Sequence, residues 1–130
     1  MIVVDTSALM AIVMNETAAN VCSDRLAAEE RVAISAGTLV EALIVAGRRN
    51  RASEMASLIF LQALEVLSVT ESSAKRAADA YGRWGKGVHP AGLNFGDCFA
   101  YELAISNSCP LLYVGDDFAR TEVVSALAAR

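Results

Sequence analysis

Four short apolar runs punctuate the chain: "MIVVD", "RVAIS", "EVLSV" and "PLLYVG". Each has strand length and is rich in β-branched residues or leucine. Their apolar character is continuous, which suits parallel strands buried on both faces. Between them apolar residues recur at helical spacing, which predicts helices over 7–14, 17–29, 37–49, 52–64, 71–83 and 95–106. Thr70, followed by Glu71 and Ser72, reads as an N-cap with an acid in the first turn. Asn50 reads as the cap of the helix that begins near Arg51. "YGRWGKGVHPAG", residues 81–92, is the one Gly/Pro-rich break and reads as the main irregular loop. Strands alternating with helices predict an α/β fold of three layers. Its centre is a mostly parallel sheet of four to five strands flanked by helices, one domain over residues 1–130. Ligands of such sheets bind beyond the carboxyl ends of the strands, and Asp5 stands at one of those ends.

Composition narrows the class. A chain of 130 residues, 55% hydrophobic and 20% charged, buries a core without disulfides or metals. The longest apolar stretches, near 8–14 and 42–46, fall far short of the roughly 18–20 residues that span a bilayer. No basic segment precedes an apolar one at the N-terminus, so neither a secretory leader nor a membrane partner is expected. The apolar surplus points instead to self-association or a protein partner. A net charge of −4 argues against a nucleic-acid coat protein, which needs a basic face. It leaves open an enzyme that meets phosphate through a divalent cation, because the ion inverts the local sign. Cys22, Cys98 and Cys109 are odd in number and have no C-x-x-C spacing, which fits reduced thiols and a cytoplasmic location.

Four acidic positions stand out against this apolar background. Asp5 follows four apolar residues, and the next charge is Glu16. Glu41 is the only charged residue between Val32 and Ala46. Asp97 falls in the first turn of the helix starting near Phe95, and Asp116 and Asp117 follow "LLYVG" directly. Each has a structural role open to it when taken alone: a turn, a solvent stripe, or a cap favoured by the helix dipole. Together they fit one sheet edge, where clustered carboxylates repel unless protonated or neutralised by metal. No histidine or cysteine is placed to suggest zinc, and oxygen-only ligands select hard cations such as Mg²⁺ or Mn²⁺. A carboxylate-held divalent ion is the chemistry of phosphodiester hydrolysis.

With those residues in view, the chain resembles the PIN-domain ribonucleases, and in particular the VapC toxins of type II toxin–antitoxin pairs. The resemblance is carried by "MIVVDTSAL", the lone glutamate in "TLVEAL", "YGRWGKGVHPAGLNFGDCFAY" and "PLLYVGDDFARTEV". It implies a PIN-like fold and a Mg²⁺-dependent endoribonuclease in which Mn²⁺ can substitute. It also implies an RNA substrate, a homodimer and a VapB-type antitoxin. By the same resemblance Asp5, Glu41 and Asp97 match three of the family's acids. Gly115 stands where many members have an acid, so Asp116 or Asp117 must serve as the fourth, and Asp117, next to Phe118, is the first choice. The implied metal ligands are Asp5, Asp97 and Asp117 or Asp116, with Glu41 orienting water or a second ion. Thr6 and Ser7 would support the site through hydroxyls, and Asn94 would orient a carboxylate or cap its helix.

Arg48, Arg49, Arg51 and Lys86 are candidates for RNA-backbone contact, although cations at 48–51 also suit a helix C-terminus. His89 is expected in a loop or packing role, Trp84, Tyr81 and Tyr101 in packing, and Cys98 facing inward. Aspartyl-phosphate phosphatases and receiver domains also place acids after strands. Both need a second acid near the first or a lysine near the last strand, and this chain offers neither. A non-catalytic module acting through a partner protein is the remaining rival, and the full set of acids argues against it.

Overall fold

The computed structural model describes residues 1–127, so the end of the expected domain, 128–130, lies outside the described residues. Ten elements follow in order: β1 (Ile2–Val4), α1 (Thr6–Val13), α2 (Ala19–Ala28), β2 (Val32–Ser35), α3 (Ala36–Arg48), α4 (Ala52–Leu61), β3 (Glu65–Leu67), α5 (Glu71–Trp84), α6 (Phe95–Ser106) and β4 (Leu111–Leu112). The strands form one sheet in the order β3-β2-β1-β4, and every pairing is parallel. A rudiment of a fifth strand lies beyond β4. There Leu111 bridges Ser125, its N–H donating to Val124 O and its carbonyl accepting from Ala126.

Alternation along β1 divides the core. Ile2 and Val4 face the layer containing Leu9, Leu26, Ala42 and Met55, from α1, α2, α3 and α4. Val3 faces Ala77, Cys98, Tyr101 and Phe118, on the side of α5 and α6. Fully burying side chains such as Ile2, Leu9 and Leu26 stabilises the fold by about 1.5–3 kcal/mol each. The result is the expected three-layer fold, with β1 and β2 fully buried.

The expected helices form close to their predicted limits, with three local corrections. Asn50 does not cap α4. It takes φ 58° as the chain leaves α3, and Arg51 occupies the N-cap without a side-chain hydrogen bond. α4 ends at Leu61, short of the expected 64, because Ala63 turns out of the helix at φ 50°. α5 runs on through Trp84, so the irregular segment begins at Gly85 rather than at 81. β3 also departs from expectation, because an edge strand has only one neighbour to cover it: Glu65 and Val66 are exposed. Thr70 caps α5 as anticipated, exchanging hydrogen bonds with Ser73 in a capping box.

Candidate functional site

The two central strands, β1 and β2, end on capping residues that start helices at the same edge of the sheet. Ser35 accepts from Gly37 N–H and starts α3. Asp5 starts α1, and its Oδ2 accepts from Ser7 N–H at 3.0 Å and Ser7 Oγ–H at 2.7 Å. Ser7 Oγ also accepts from Val114 N–H at 3.0 Å, which ties Asp5 to the segment after β4. The other carboxylate oxygen, Asp5 Oδ1, is buried without a hydrogen-bond partner. The residue is 3% exposed, and burial, reinforced by the charge of Glu41, pushes its pKa from 3.8 up to about 6.

Glu41 lies in the second turn of α3, and its Oε1 accepts from Thr6 Oγ–H at 2.7 Å. Asp97 lies in the first turn of α6, where Asn94 is the N-cap. Asn94 Oδ1 accepts from Asp97 N–H at 2.8 Å, and Asp97 Oδ2 accepts from Asn94 N–H at 3.0 Å. That reciprocal box fixes the carboxylate and leaves its other oxygen unengaged. Asp97 is only 6% exposed, and its pKa rises to about 7. Burial is the main cause, followed by the charges of Asp5, Asp117 and Glu41.

Asp116 and Asp117 sit on the exposed turn after β4. Gly115 opens that turn at φ 101°, in the left-handed region that favours glycine. Asp116 O accepts from Ala119 N–H to close the turn, while buried Phe118 packs on Tyr113 and anchors it. Of the two, Asp117 is the acid whose charge bears on Asp97.

Asp5, Glu41, Asp97 and Asp117 therefore share one electrostatic environment, and Thr6, Ser7 and Asn94 each hold one of these acids in place. Among the described residues, no three Asp, Glu, His or Cys side chains close around one point as a finished cage does. The donors are nevertheless oxygens only, one is a buried orphan, and two have pKa values raised by burial and mutual repulsion. These properties suit a hard divalent cation that keeps several of its waters. Such an ion would relieve both the repulsion and the orphan oxygen.

Of the basic candidates, Arg48 lines the same groove as Glu41, together with Ile44, Phe95 and Phe99. Arg49 is the exposed C-cap of α3. Arg51 pairs with Glu54 at 3.5 Å, and exposed Lys86 lies in the loop after α5, its N–H donating to Leu93 O. His89 Nδ1 accepts from Ala91 N–H within its own loop, and the ring meets Trp84 edge-on. Tyr101 is buried, accepting from Trp84 Nε1–H and donating to Glu122, whereas Tyr81 is exposed. Cys98 faces inward. Two residues that meet these acids or their supports are assigned no role from the sequence: Val114, through its N–H, and Gly96, which lies against the Glu41 carboxylate.

Residues 2–124 match the family model described as the PIN domain. Ribonuclease VapC28 of Mycobacterium tuberculosis is 40% identical over 132 residues, which cover 98% of this chain and 99% of the relative. Among solved structures, M. tuberculosis VapC20, described as a sarcin-ricin loop cleaving toxin, superposes with a TM-score of 0.78 at 20% identity. That superposition covers 95% of this chain and 97% of VapC20. VapBC2 of Rickettsia felis, bound to a DNA fragment from its promoter, gives a TM-score of 0.69 at 18% identity, covering 96% of each chain.

Proposed function

The chain belongs to the PIN-domain family, and from that premise we propose that it is a divalent-metal-dependent endoribonuclease of the VapC type, the toxin of a toxin–antitoxin pair. The observation that carries the metal-dependent part is Asp5 Oδ1, a carboxylate oxygen buried without a partner beside three further acids. Evolved folds seldom leave such an atom unsatisfied unless something else satisfies it.

Asp5, Asp97 and Asp117 would hold Mg²⁺, or Mn²⁺ in its place. When bound, such an ion supplies charge neutralisation at the scissile phosphate and acidifies water. The protein's part is placement. Ser7 locks Asp5 Oδ2, so Oδ1 is the oxygen left to bind. Asn94 does the same for Asp97. Thr6 engages Glu41 Oε1, which leaves Oε2 to orient a water or take its proton. Asp116, exposed on the same turn as Asp117, is given no part in holding the ion. Arg48, the one basic candidate lining the groove with Glu41, is the residue we assign to the RNA backbone.

A homodimer and a VapB-type antitoxin are proposed as partners. Exposed Val40, Leu43 and Ile44 on α3, and Phe60 and Leu61 on α4, support protein contacts on this surface. No helix among the described residues is long and apolar enough to cross a membrane. Free Cys22, Cys98 and Cys109 support a reducing, cytoplasmic setting.

Incubating the purified protein with RNA, with and without Mn²⁺, tests this reading. Cleavage should need the ion, leave 5′-phosphate and 3′-hydroxyl ends, and vanish in Asp5→Asn and Asp97→Asn. Full activity in either variant overturns the assignment.

A further inference from the structure

Two glycines facing opposite ways lie between α3 and α6. Gly37 of α3 receives the ring of Phe99, and Gly96 of α6 receives the carboxylate of Glu41. The two are not equivalent. A methyl group at Gly37 would meet Cγ and Cδ1 of Phe99 at 2.5 and 2.6 Å, on a ring that Phe95 also packs against edge-on. The three atoms nearest a methyl group at Gly96 would all belong to the far end of Glu41: Cδ at 2.5 Å, Oε1 at 2.9 Å, and Oε2 closer still. That end swings on rotatable bonds, so the helix can accept alanine there by displacing the carboxylate. Glycine is also a poor helix former compared with alanine. Helix formation therefore does not explain Gly96, and neither does backbone geometry, since it is absent from the positive-φ glycines.

We propose that Gly96 is a positioning residue for hydrolysis: its missing side chain is what lets the Glu41 carboxylate lie on the first turn of α6, bonded to Thr6 and beside Asp97. The inference rests on the assignment of Glu41 to the acid site made above. It also separates the two glycines by role, Gly37 serving the packing of α3 on α6 and Gly96 serving the placement of one carboxylate.

Thermal melts without metal, Mn²⁺-dependent RNA cleavage and a crystal structure of Gly96→Ala test it on the full chain. The variant should melt at or above the wild-type temperature and cleave roughly tenfold or more slowly. Its structure should show Glu41 displaced from the Thr6 hydroxyl. Added to Glu41→Gln, the alanine should cost no further activity, since both changes act through one side chain. Undiminished cleavage overturns the proposal, and so does a lower melting temperature or an unfolded protein, because the glycine would then serve the fold. Glu41 still bonded to Thr6, or additive losses in the double variant, overturns it equally. If Glu41→Gln keeps full activity while Asp5→Asn and Asp97→Asn lose it, this inference fails and the acid-site reading stands. Full activity in Asp5→Asn or Asp97→Asn sinks that reading.

Discussion

Replacing Asp5 by asparagine should make the metal-free protein more stable at pH 8 while abolishing its activity. The carboxylate is 3% exposed, with Oδ2 satisfied by Ser7 and Oδ1 by nothing. Its pKa is about 6 in the folded chain against an ordinary 3.8. A raised folded pKa means that the folded state holds the proton more tightly than the unfolded chain does. The associated stability is therefore complete below about pH 4 and is lost as pH rises through about 6. The gap between the two pKa values corresponds to about 3 kcal/mol lost by pH 8, and roughly half of that is already gone at pH 5. Asparagine removes this pH-dependent term, and its carbonyl can still accept both Ser7 hydrogens. The stronger bonding of the charged acceptor is already contained in that shift, because the Ser7 hydrogen bonds oppose the effect of burial. The net expectation is therefore about 3 kcal/mol of stabilisation at pH 8 and about half of that at pH 5. For a chain of this length that is a rise of roughly 9–15 °C at pH 8. Melts followed by circular dichroism in EDTA at both pH values measure it. A variant that melts no higher than wild type at pH 8, or gains equally at both pH values, refutes the claim that Asp5 is held against an electrostatic cost.

The neighbouring residues give further tests. Mn²⁺ should raise the wild-type melting temperature, and titration calorimetry in buffers of different ionisation enthalpy should show about one proton released per ion near pH 6.5, since Asp5 and Asp97 titrate near 6 and 7. Binding with no proton release would contradict the raised pKa values. Asp117→Asn should slow cleavage roughly tenfold or more while Asp116→Asn stays within about twofold, and the reverse ranking would exchange their roles. Ser7→Ala orphans the Val114 N–H and strips Asp5 of one donor, so urea denaturation should report a loss of about 1–3 kcal/mol, with cleavage falling alongside it.

What the sequence could and could not disclose follows from the range of the interactions involved. β1 and β2 are legible because a strand buried on both faces writes its burial into consecutive residues, as Ile2–Val4 and Val32–Ser35 do. The start of α5 is legible because Thr70 and Ser73 cap it within one turn. Asn50 misleads because the same residue type suits an N-cap and the left-handed turn that leaves a helix. Which one it becomes depends on where α3 stops, and at φ 58° it serves the exit. The acids stand out because a lone charge in an apolar stretch is anomalous without any knowledge of its neighbours. Their supports lie deeper. Ser7 joins Asp5 to Val114 across 107 residues, and Thr6 reaches Glu41 across 35. Neither pairing leaves a trace in local periodicity. Between Asp116 and Asp117, only the folded turn, opened by Gly115 and anchored by buried Phe118, shows which charge bears on Asp97. Gly96 is the extreme case, since its contribution is an empty volume whose meaning comes from a side chain on another helix. Residue types thus announce the chemistry of the site, while its geometry is set by contacts between segments that only the packed sheet brings to one edge.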